Sequence, residues 1–148
     1  MKIQHRTSDD TQFIELISAL DGELNEKYGT QQKQYNEFNK LDYNSNVMIA
    51  LDNGSPVGCG CFKVIDSETV EVKRMFVKLA YRGTGVAKSI LLALHQLAIE
   101  KGFKKSVLET GIKQPEAIAF YVKNGYSKIE NYGQYVGHTN SVCMMKIL

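Results

Sequence analysis

Two stretches of the chain repeat hydrophobic residues with the spacing of an α-helix. In the first, Ser8 and two aspartates precede apolar positions that recur every three or four residues, at Phe13, Ile17, Leu20 and Leu24. The second runs from Gly85 to Gly102, and its apolar residues are Val86, Ile90, Leu91, Leu94, Leu97 and Ala98. This spacing gathers apolar side chains on one helix face, and a glycine just past the last turn commonly ends a helix. The pattern predicts amphipathic helices that start at Ser8 and at Gly85.

A third, shorter helix is predicted closer to the C-terminus. The segment AIAFYVKN is preceded by Pro115 and followed by Gly125. Proline is favoured in the first turn of a helix, and glycine is favoured just past its end. We therefore expect a short helix between these two residues.

The strand predictions rest on segments rich in β-branched and aromatic residues. KIQHRT is expected to be an edge strand, and NVMIALDNGSPVGCGCFKVID to be a hairpin around Asp52-Asn53-Gly54. Three further strands are predicted in TVEVKRMFV, SVLET and SVCMMKIL. The polar segment GTQQKQYNEFNKL is either a short helix or irregular, and propensity does not decide between the two.

The order of the predicted elements indicates the fold class. After a first strand, a helix and the undecided segment, the order is β, β, β, α, β, α, β, β, which predicts an α/β or α+β layer with helices covering a mixed sheet. The 148 residues fit one domain of ordinary size. The chain has two prolines and neither an internal repeat nor a low-complexity linker. We therefore expect residues 1–148 to form a single domain.

Composition and charge argue against several classes of protein. The 18 Lys and Arg residues and the 16 Asp and Glu residues give a net charge of +2. Because like charges form no block, nucleic-acid binding and membrane binding are not indicated. The longest apolar segment, SILLALHQLAI, is too short to span a bilayer. The odd count of three cysteines and the lack of a signal-peptide pattern favour a reduced, cytoplasmic location.

The segment RGTGVAKS, residues 82 to 89, looks like a phosphate-binding loop because two glycines precede a Lys-Ser pair at a predicted helix start. A nucleotide P-loop ending at Lys88-Ser89 needs glycine at the positions of Arg82 and Ala87. A dinucleotide-binding GxGxxG motif starting at Gly83 needs glycine at the position of Lys88. Two interpretations stay open: backbone N–H groups at the helix start hold an anion between Arg82 and Lys88, or the segment is a tight turn without a ligand.

The residues around this loop resemble two signatures of the GNAT N-acetyltransferase superfamily. Arg82, Gly85 and Ala87 form an R-x-x-G-x-A segment between strand EVKRMFV and an amphipathic helix, which resembles the family's acyl-coenzyme A pyrophosphate loop. Further on, QPEAIAFYVKNGY resembles the second signature, Ala-x-x-x-Tyr-x-x-x-Gly-aromatic, which is matched by Ala117, Tyr121, Gly125 and Tyr126. The resemblance runs from about Asn46 to Leu148.

The resemblance implies an acyl-CoA N-acyltransferase fold, with a central mixed, mainly antiparallel sheet flanked by helices. It implies that acetyl-CoA, the cosubstrate, lies where strand EVKRMFV splays from strand SVLET, and that the pantetheine amides pair with the backbone of Met75, Phe76 and Val77. Gln114, where many members carry Asn, is expected beside the pantetheine arm. The residues expected to hold the pyrophosphate are Arg82, Gly83, Thr84, Gly85, Val86, Ala87 and Lys88. No metal is expected.

The family's reaction is a direct attack of an acceptor amine on the thioester, which needs no Ser or Cys nucleophile. Glu71, on the strand that resembles the family's catalytic strand, is the candidate base, acting through a water. The alternative for this residue is an exposed strand glutamate that faces Lys73. Tyr121, in the second signature, is the candidate acid that protonates the leaving thiolate.

Other conspicuous residues are interpreted as structural. Cys59 and Cys61 place two thiols on one strand face, but a structural zinc usually needs four ligands, so buried small hydrophobes are favoured. His95 is expected on a helix face without a catalytic role. Three residues before the last strand either line the acceptor pocket or pack their loop onto the sheet, and they are Tyr132, Tyr135 and His138.

The sequence therefore predicts a cytoplasmic N-acetyltransferase that transfers the acetyl group of acetyl-CoA to a primary amine of a small molecule or peptide. It predicts no nucleic-acid or membrane partner and allows a homodimer. Two alternatives come from other classes: a non-catalytic acyl-CoA-binding sensor or regulatory module, and a nucleotide-binding module. The missing P-loop glycines argue against the second.

Overall fold

The computed structural model describes residues 1–28 and 43–148, in which seven strands form one sheet. The strands are β1 (Lys2–Arg6), β2 (Val47–Asp52), β3 (Ser55–Val64), β4 (Thr69–Val77), β5 (Lys105–Gly111), β6 (Ser127–Ile129) and β7 (Ser141–Ile147). Their order across the sheet is β1-β2-β3-β4-β5-β7-β6. The undecided segment GTQQKQYNEFNKL lies outside the described residues.

Strand pairing makes the sheet mixed and mainly antiparallel. Among the described strands only β4 and β5 run parallel, and the other neighbours run antiparallel. β1 is an edge strand, as expected, and β2 and β3 form the predicted hairpin. In its turn Asn53 and Gly54 have φ of 50° and 83°, and a tight hairpin turn of type I′ needs positive φ at both central residues.

Three α-helices accompany the sheet in the described part of the chain: α1 (Thr11–Tyr28), α2 (Val86–Glu100) and α3 (Pro115–Lys123). The prediction that α1 starts at Ser8 is wrong by three residues. Asp10 is the cap, because its carboxylate accepts hydrogen bonds from the backbone N–H groups of Gln12 (2.9 Å) and Phe13 (3.2 Å). The Ser8 hydroxyl instead accepts the N–H of Asn44 at 2.7 Å.

The helices lie on both faces of the sheet and bury two separate cores. α2 and α3 cover the larger core, whose sheet residues include Val72, Leu108 and Met144. α1 covers the smaller core, which includes Ile49 and Phe76. None of the described helices combines the length and the apolar character needed to cross a membrane.

Cys59 and Cys61 belong to the smaller core and are fully buried. Burial raises the pKa of the Cys61 thiol to about 12, so the thiol stays protonated at neutral pH. The described residues contain no group of three or more His, Cys, Asp or Glu side chains that could hold a metal ion. The buried positions agree with the interpretation of both cysteines as small hydrophobes.

A β-bulge at Arg74 changes which side chains of β4 face each helix. β3 pairs Cys61 with Lys73 but Cys59 with Phe76, so β4 carries one extra residue. Arg74 accommodates it with φ of 58°, a left-handed conformation that is uncommon outside glycine, and its side chain pairs with Asp21 of α1. The apolar positions facing α2 therefore switch from even to odd numbers: Val70 and Val72, then Met75 and Val77.

His95 lies on the buried face of α2. Its Nε2 lies 2.7 Å from the hydroxyl of Tyr126, which lies 2.7 Å from the hydroxyl of Ser106. Burial, together with the charge of Lys146, lowers the pKa of His95 to about 4. The imidazole is therefore neutral in the folded protein at physiological pH, and the contact fixes α2 against β5.

This buried imidazole predicts acid-sensitive stability. Because the pKa of His95 is lower in the folded chain than its ordinary value of 6.5, the unfolded chain binds the extra proton first as pH falls. The contribution of neutral His95 to the free energy of unfolding is complete above about pH 6.5. It declines below that pH and is lost near pH 4, and the total loss is roughly 3 kcal/mol. Urea unfolding of the wild type and His95→Gln between pH 4 and 7.5 measures it. Parallel stability curves for the two proteins would contradict the expectation.

Candidate active site

The parallel strands β4 and β5 separate after three residue pairs. Thr69 pairs with Lys105, Val70 with Ser106 and Glu71 with Val107, and the pairing then stops. β4 continues to Val77 without a strand on that edge in the described part of the chain, while β5 continues beside β7 up to Gly111. The two strands diverge as the resemblance implies, and a V-shaped opening lies between them.

A cavity of about 120 Å³ occupies this opening. Its walls come from residues 71–75 of β4, residues 109–111 of β5 and the start and middle of α3. Leu20 and Leu24 of α1 and the ring of Tyr135 close the side that faces the smaller core. The opening thus brings together side chains from five separate parts of the fold.

The predicted pantetheine-binding residues lie along the free edge of β4. Met75 lines the cavity. The side chains of Phe76 and Val77 are buried in the smaller and the larger core, so only the backbone groups of these two residues could contact a ligand. The carbonyl of Val77 already accepts a hydrogen bond from Arg82 Nε at 2.8 Å. Gln114 also lines the cavity, directly before α3.

The glycine loop leads from a short 3-10 turn, Leu79–Tyr81, into α2. Gly83 and Gly85 have φ of 78° and 92°, which glycine adopts without strain. Gly85 caps α2 without any side-chain hydrogen bond, so the N–H groups of the first helical turn remain available to a ligand. The N–H of Arg82 is different, because it donates to the carbonyl of Leu79 at 3.2 Å.

The two predicted cations of the loop have different positions. The Arg82 guanidinium donates to Glu23 of α1 at 2.7 Å and lies 5.7 Å from the ring centroid of Phe76. These contacts fix Arg82 between the end of β4 and α1. Lys88 is exposed in the first turn of α2. The side chain of Val86 is buried in the larger core, so this residue offers only its N–H.

Tyr121 of α3 is buried and lines the cavity. Its ring packs edge-on against Phe120 and Tyr126, with centroids 5.2 and 5.5 Å apart. Within the described residues the hydroxyl makes no hydrogen bond. Burial raises the pKa of this hydroxyl well above its ordinary value of 10, so it holds its proton at neutral pH. The Tyr121 hydroxyl is therefore a neutral hydrogen-bond donor without an acceptor among the described residues.

Glu71 is 1 % exposed, so the alternative of an exposed strand glutamate is wrong. The predicted contact with Lys73 is present, with 3.4 Å between Lys73 Nζ and Glu71 Oε1. The other carboxylate oxygen accepts a hydrogen bond from the hydroxyl of Tyr132. Lys73 Nζ is also 3.4 Å from the hydroxyl of Tyr135. Tyr132 and Tyr135 thus contact the charged groups of the site, whereas His138 lies outside the cavity wall.

Glu109 of β5 also lines the cavity, and sequence reasoning missed it. The Ser141 hydroxyl donates to its Oε2 at 2.8 Å. Burial raises the pKa of Glu109 to about 7, although the Ser141 bond and the charge of Lys73 act in the opposite direction. A signal was present, since Glu109 is the one charged residue in the predicted strand SVLET.

The chain is similar to known acetyltransferases in both sequence and fold. Residues 12–126 match the acetyltransferase (GNAT) family. An IAA acetyltransferase from Azospirillum brasilense is 32% identical over 138 residues, which cover 91% of this chain and 90% of that protein. A structure described as an acyl-CoA N-acyltransferase from Klebsiella pneumoniae is 30% identical, with a TM-score of 0.82 over 99% of this chain and 97% of the other.

More distant structures share the fold. A GNAT acetyltransferase from Elizabethkingia anophelis with acetyl-CoA bound superposes with a TM-score of 0.71 at 19% identity, over 99% of this chain and 97% of the other. The PaiA N-acetyltransferase of Thermoplasma acidophilum in complex with coenzyme A gives 0.69 at 19% identity over the whole of both chains. The matched residues, the mixed sheet and the divergence of β4 from β5 lead to one conclusion: this chain belongs to the GNAT family of acetyltransferases.

Proposed function

We propose that this protein transfers the acetyl group of acetyl-CoA directly to a primary amine of a small molecule or peptide. The observation that carries the proposal is the cavity between the diverging strands β4 and β5, with the protonated hydroxyl of Tyr121 at its wall. The family supplies the reaction class, and the cavity lining contributes two acidic residues, Glu71 and Glu109, and two basic residues, Lys73 and Arg74. Because strands from residue 2 to residue 147 share one sheet, we propose that the chain works as a single domain. The three free cysteines support the proposal of a reduced, cytoplasmic location.

The coenzyme is proposed to lie along the free edge of β4. Its pantetheine amides pair with backbone groups of Met75 and Phe76, next to Gln114. Its pyrophosphate rests on the N–H groups of Gly83 to Ala87, with Lys88 nearby. The positive end of the α2 dipole favours an anion there. Arg82 supports the loop from behind, because its guanidinium bonds Val77 and Glu23.

The chemistry requires two proton transfers. A lysine-like amine is mainly ammonium at pH 7, and freeing its lone pair costs roughly 4 to 5 kcal/mol, against about 1 kcal/mol for an α-amine. The freed amine attacks the thioester carbonyl, and the carbon–sulfur bond breaks. Tyr121 gives its proton to the leaving sulfur. The role of Glu71 as the base stays a prediction.

Ligand-induced stabilisation tests the coenzyme site. Acetyl-CoA or coenzyme A at 100 times its dissociation constant adds about 2.7 kcal/mol of stability, which raises the melting temperature of a chain of this size by about 5 to 10 °C. Differential scanning fluorimetry with acetyl-CoA, coenzyme A or ATP plus magnesium measures the shift. ATP serves as the control, because the loop lacks the P-loop glycines. A shift with ATP and none with either coenzyme A species would refute the proposed site.

Replacing Tyr121 by Phe tests the proton donor. The variant keeps the ring packing against Phe120 and Tyr126, so we expect an unchanged melting temperature and coenzyme A affinity. Loss of a general acid lowers kcat by roughly 10²- to 10⁴-fold. Thiol release from acetyl-CoA, measured across amino acids, polyamines and a lysine-containing peptide, reports kcat. A wild type that binds coenzyme A and releases no thiol with any acceptor would favour the non-catalytic binding module.

A further inference from the structure

Two carboxyl groups share the cavity, and their surroundings differ. Glu71 comes from the paired end of β4, and Glu109 comes from the stretch of β5 that has separated from β4. A site that holds two carboxyl groups in unlike environments commonly divides two tasks between them. The contacts of each group indicate which task it performs.

Glu71 is held by fixed partners on both oxygens. Lys73 Nζ lies 3.4 Å from one oxygen, and the Tyr132 hydroxyl donates to the other. A proton placed on Glu71 would have to displace Tyr132 or leave the ammonium of Lys73 buried beside a neutral group. Lys73 is 6 % exposed, and removing the counter-charge of a buried ion is strongly unfavourable. Both carboxylate oxygens of Glu71 are therefore already engaged by neighbouring side chains.

Glu109 has a simpler environment. Glu109 lines the cavity, and within the described residues its hydrogen bond comes from Ser141, at Oε2, which leaves Oε1 without a described donor. Ser141 and Cys143 of β7, Lys73 and Glu71 of β4 and Tyr135 before β7 are the titratable or polar groups that face it. A proton on Oε1 breaks none of these contacts. The pKa of about 7 agrees with reversible protonation near neutral pH.

We propose that Glu109 is the carboxylate that takes the proton of the acceptor amine, and that Glu71, Lys73 and Tyr132 form a separate hydrogen-bonded network beside it. The assignment rests on the proposed acetyl transfer. Ser141 is a positioning residue, since its hydroxyl holds Oε2 and leaves Oε1 as the oxygen that takes the proton.

The protons balance over one cycle. An N–H bond of the acceptor ammonium breaks, its proton moves to Glu109, and the freed nitrogen forms a bond to the acetyl carbonyl carbon. The carbon–sulfur bond breaks, and the sulfur receives the proton of Tyr121. The second proton that the nitrogen loses as the amide forms restores Tyr121. Glu109 releases its proton to water when the products leave.

Matched carboxyl-to-amide variants test the assignment. Glu109→Gln and Glu71→Gln each remove one carboxyl group from the cavity, and Glu100→Gln makes the same change on the exposed end of α2 as a control. Infrared or ¹³C NMR titration of the coenzyme A complex follows carboxyl protonation. We expect one carboxyl that titrates near pH 7 in the wild type and in the control, and its absence in Glu109→Gln. In Glu71→Gln the titration should persist but move to lower pH, because the charge of Glu71 raises the pKa of Glu109. If Glu71→Gln alone abolishes that titration, the assignment is wrong.

Kinetics with two probe amines provide a second readout. Butylamine is an ammonium at neutral pH, whereas 2,2,2-trifluoroethylamine is mainly a free amine and needs no base before it attacks. Glu109→Gln should lower thiol release with butylamine by roughly 10²- to 10⁴-fold, should lower it much less with trifluoroethylamine, and should remove the rise in rate through pH 7. An equal loss with both amines, or a matching loss of coenzyme A affinity, would instead indicate a structural role and overturn the assignment.

The experiments separate this inference from the proposed function. A wild type that binds no coenzyme A would refute the proposed function. The carboxyl titration needs no acceptor and can be repeated on the free protein. Even if the protein binds no coenzyme A, the titration therefore shows whether Glu71 or Glu109 exchanges its proton near pH 7.

Discussion

Backbone N–H and C=O groups in a sheet need partners, and β4 has no strand partner on its β5 side beyond Glu71 in the described part of the chain. This edge is a row of donors and acceptors that an extended, amide-bearing molecule can pair with. β5 is held away from it by β7, to which it stays paired through Gly111. The cavity, the position of Tyr121 and the approach to the glycine loop all depend on that divergence.

The site also depends on how buried charges are compensated. Lys73 and Glu71 are almost fully buried, and they pair with each other at the inner end of the opening. Tyr132 and Tyr135 add hydroxyl contacts to this pair, and their rings pack edge-on with centroids 5.5 Å apart. Buried ions without such partners would be strongly unfavourable. Tyr132 and Tyr135, in the loop before β7, thus help to stabilise the buried charges of Lys73 and Glu71 on β4.

Local patterns sufficed to predict most of the elements. The helical spacing along α2, the Asn53-Gly54 turn and the Pro115 and Gly125 boundaries each involve short-range interactions, and the structure confirms them. The start of α1 was misplaced, because the choice between Ser8 and Asp10 depends on Asn44, far away in sequence. The bulge at Arg74 was also missed, although the change of apolar positions from Val72 to Met75 was a sign of it.

The functional residues were predicted less evenly. Tyr121 came from a local signature, and the structure places this residue in the cavity wall. Glu71 looked like an outward-facing strand residue as well as a catalytic candidate, because the cover provided by Tyr132 lies 61 positions away. Glu109 was missed since its environment is created by β4, β7 and the preceding loop. A residue whose properties arise from distant neighbours leaves little trace in the surrounding sequence.

The two cores have a consequence for how this scaffold can change. One wall of the opening, with Leu20 and Leu24, belongs to α1, which packs on the smaller core. The glycine loop is joined to α2, which packs on the larger core. Substitutions in α1 can therefore reshape one half of the opening while the packing beneath the other half is preserved. The fold is in this sense modular, and the ion pair between Arg82 of the glycine loop and Glu23 of α1 is the contact that joins its two halves.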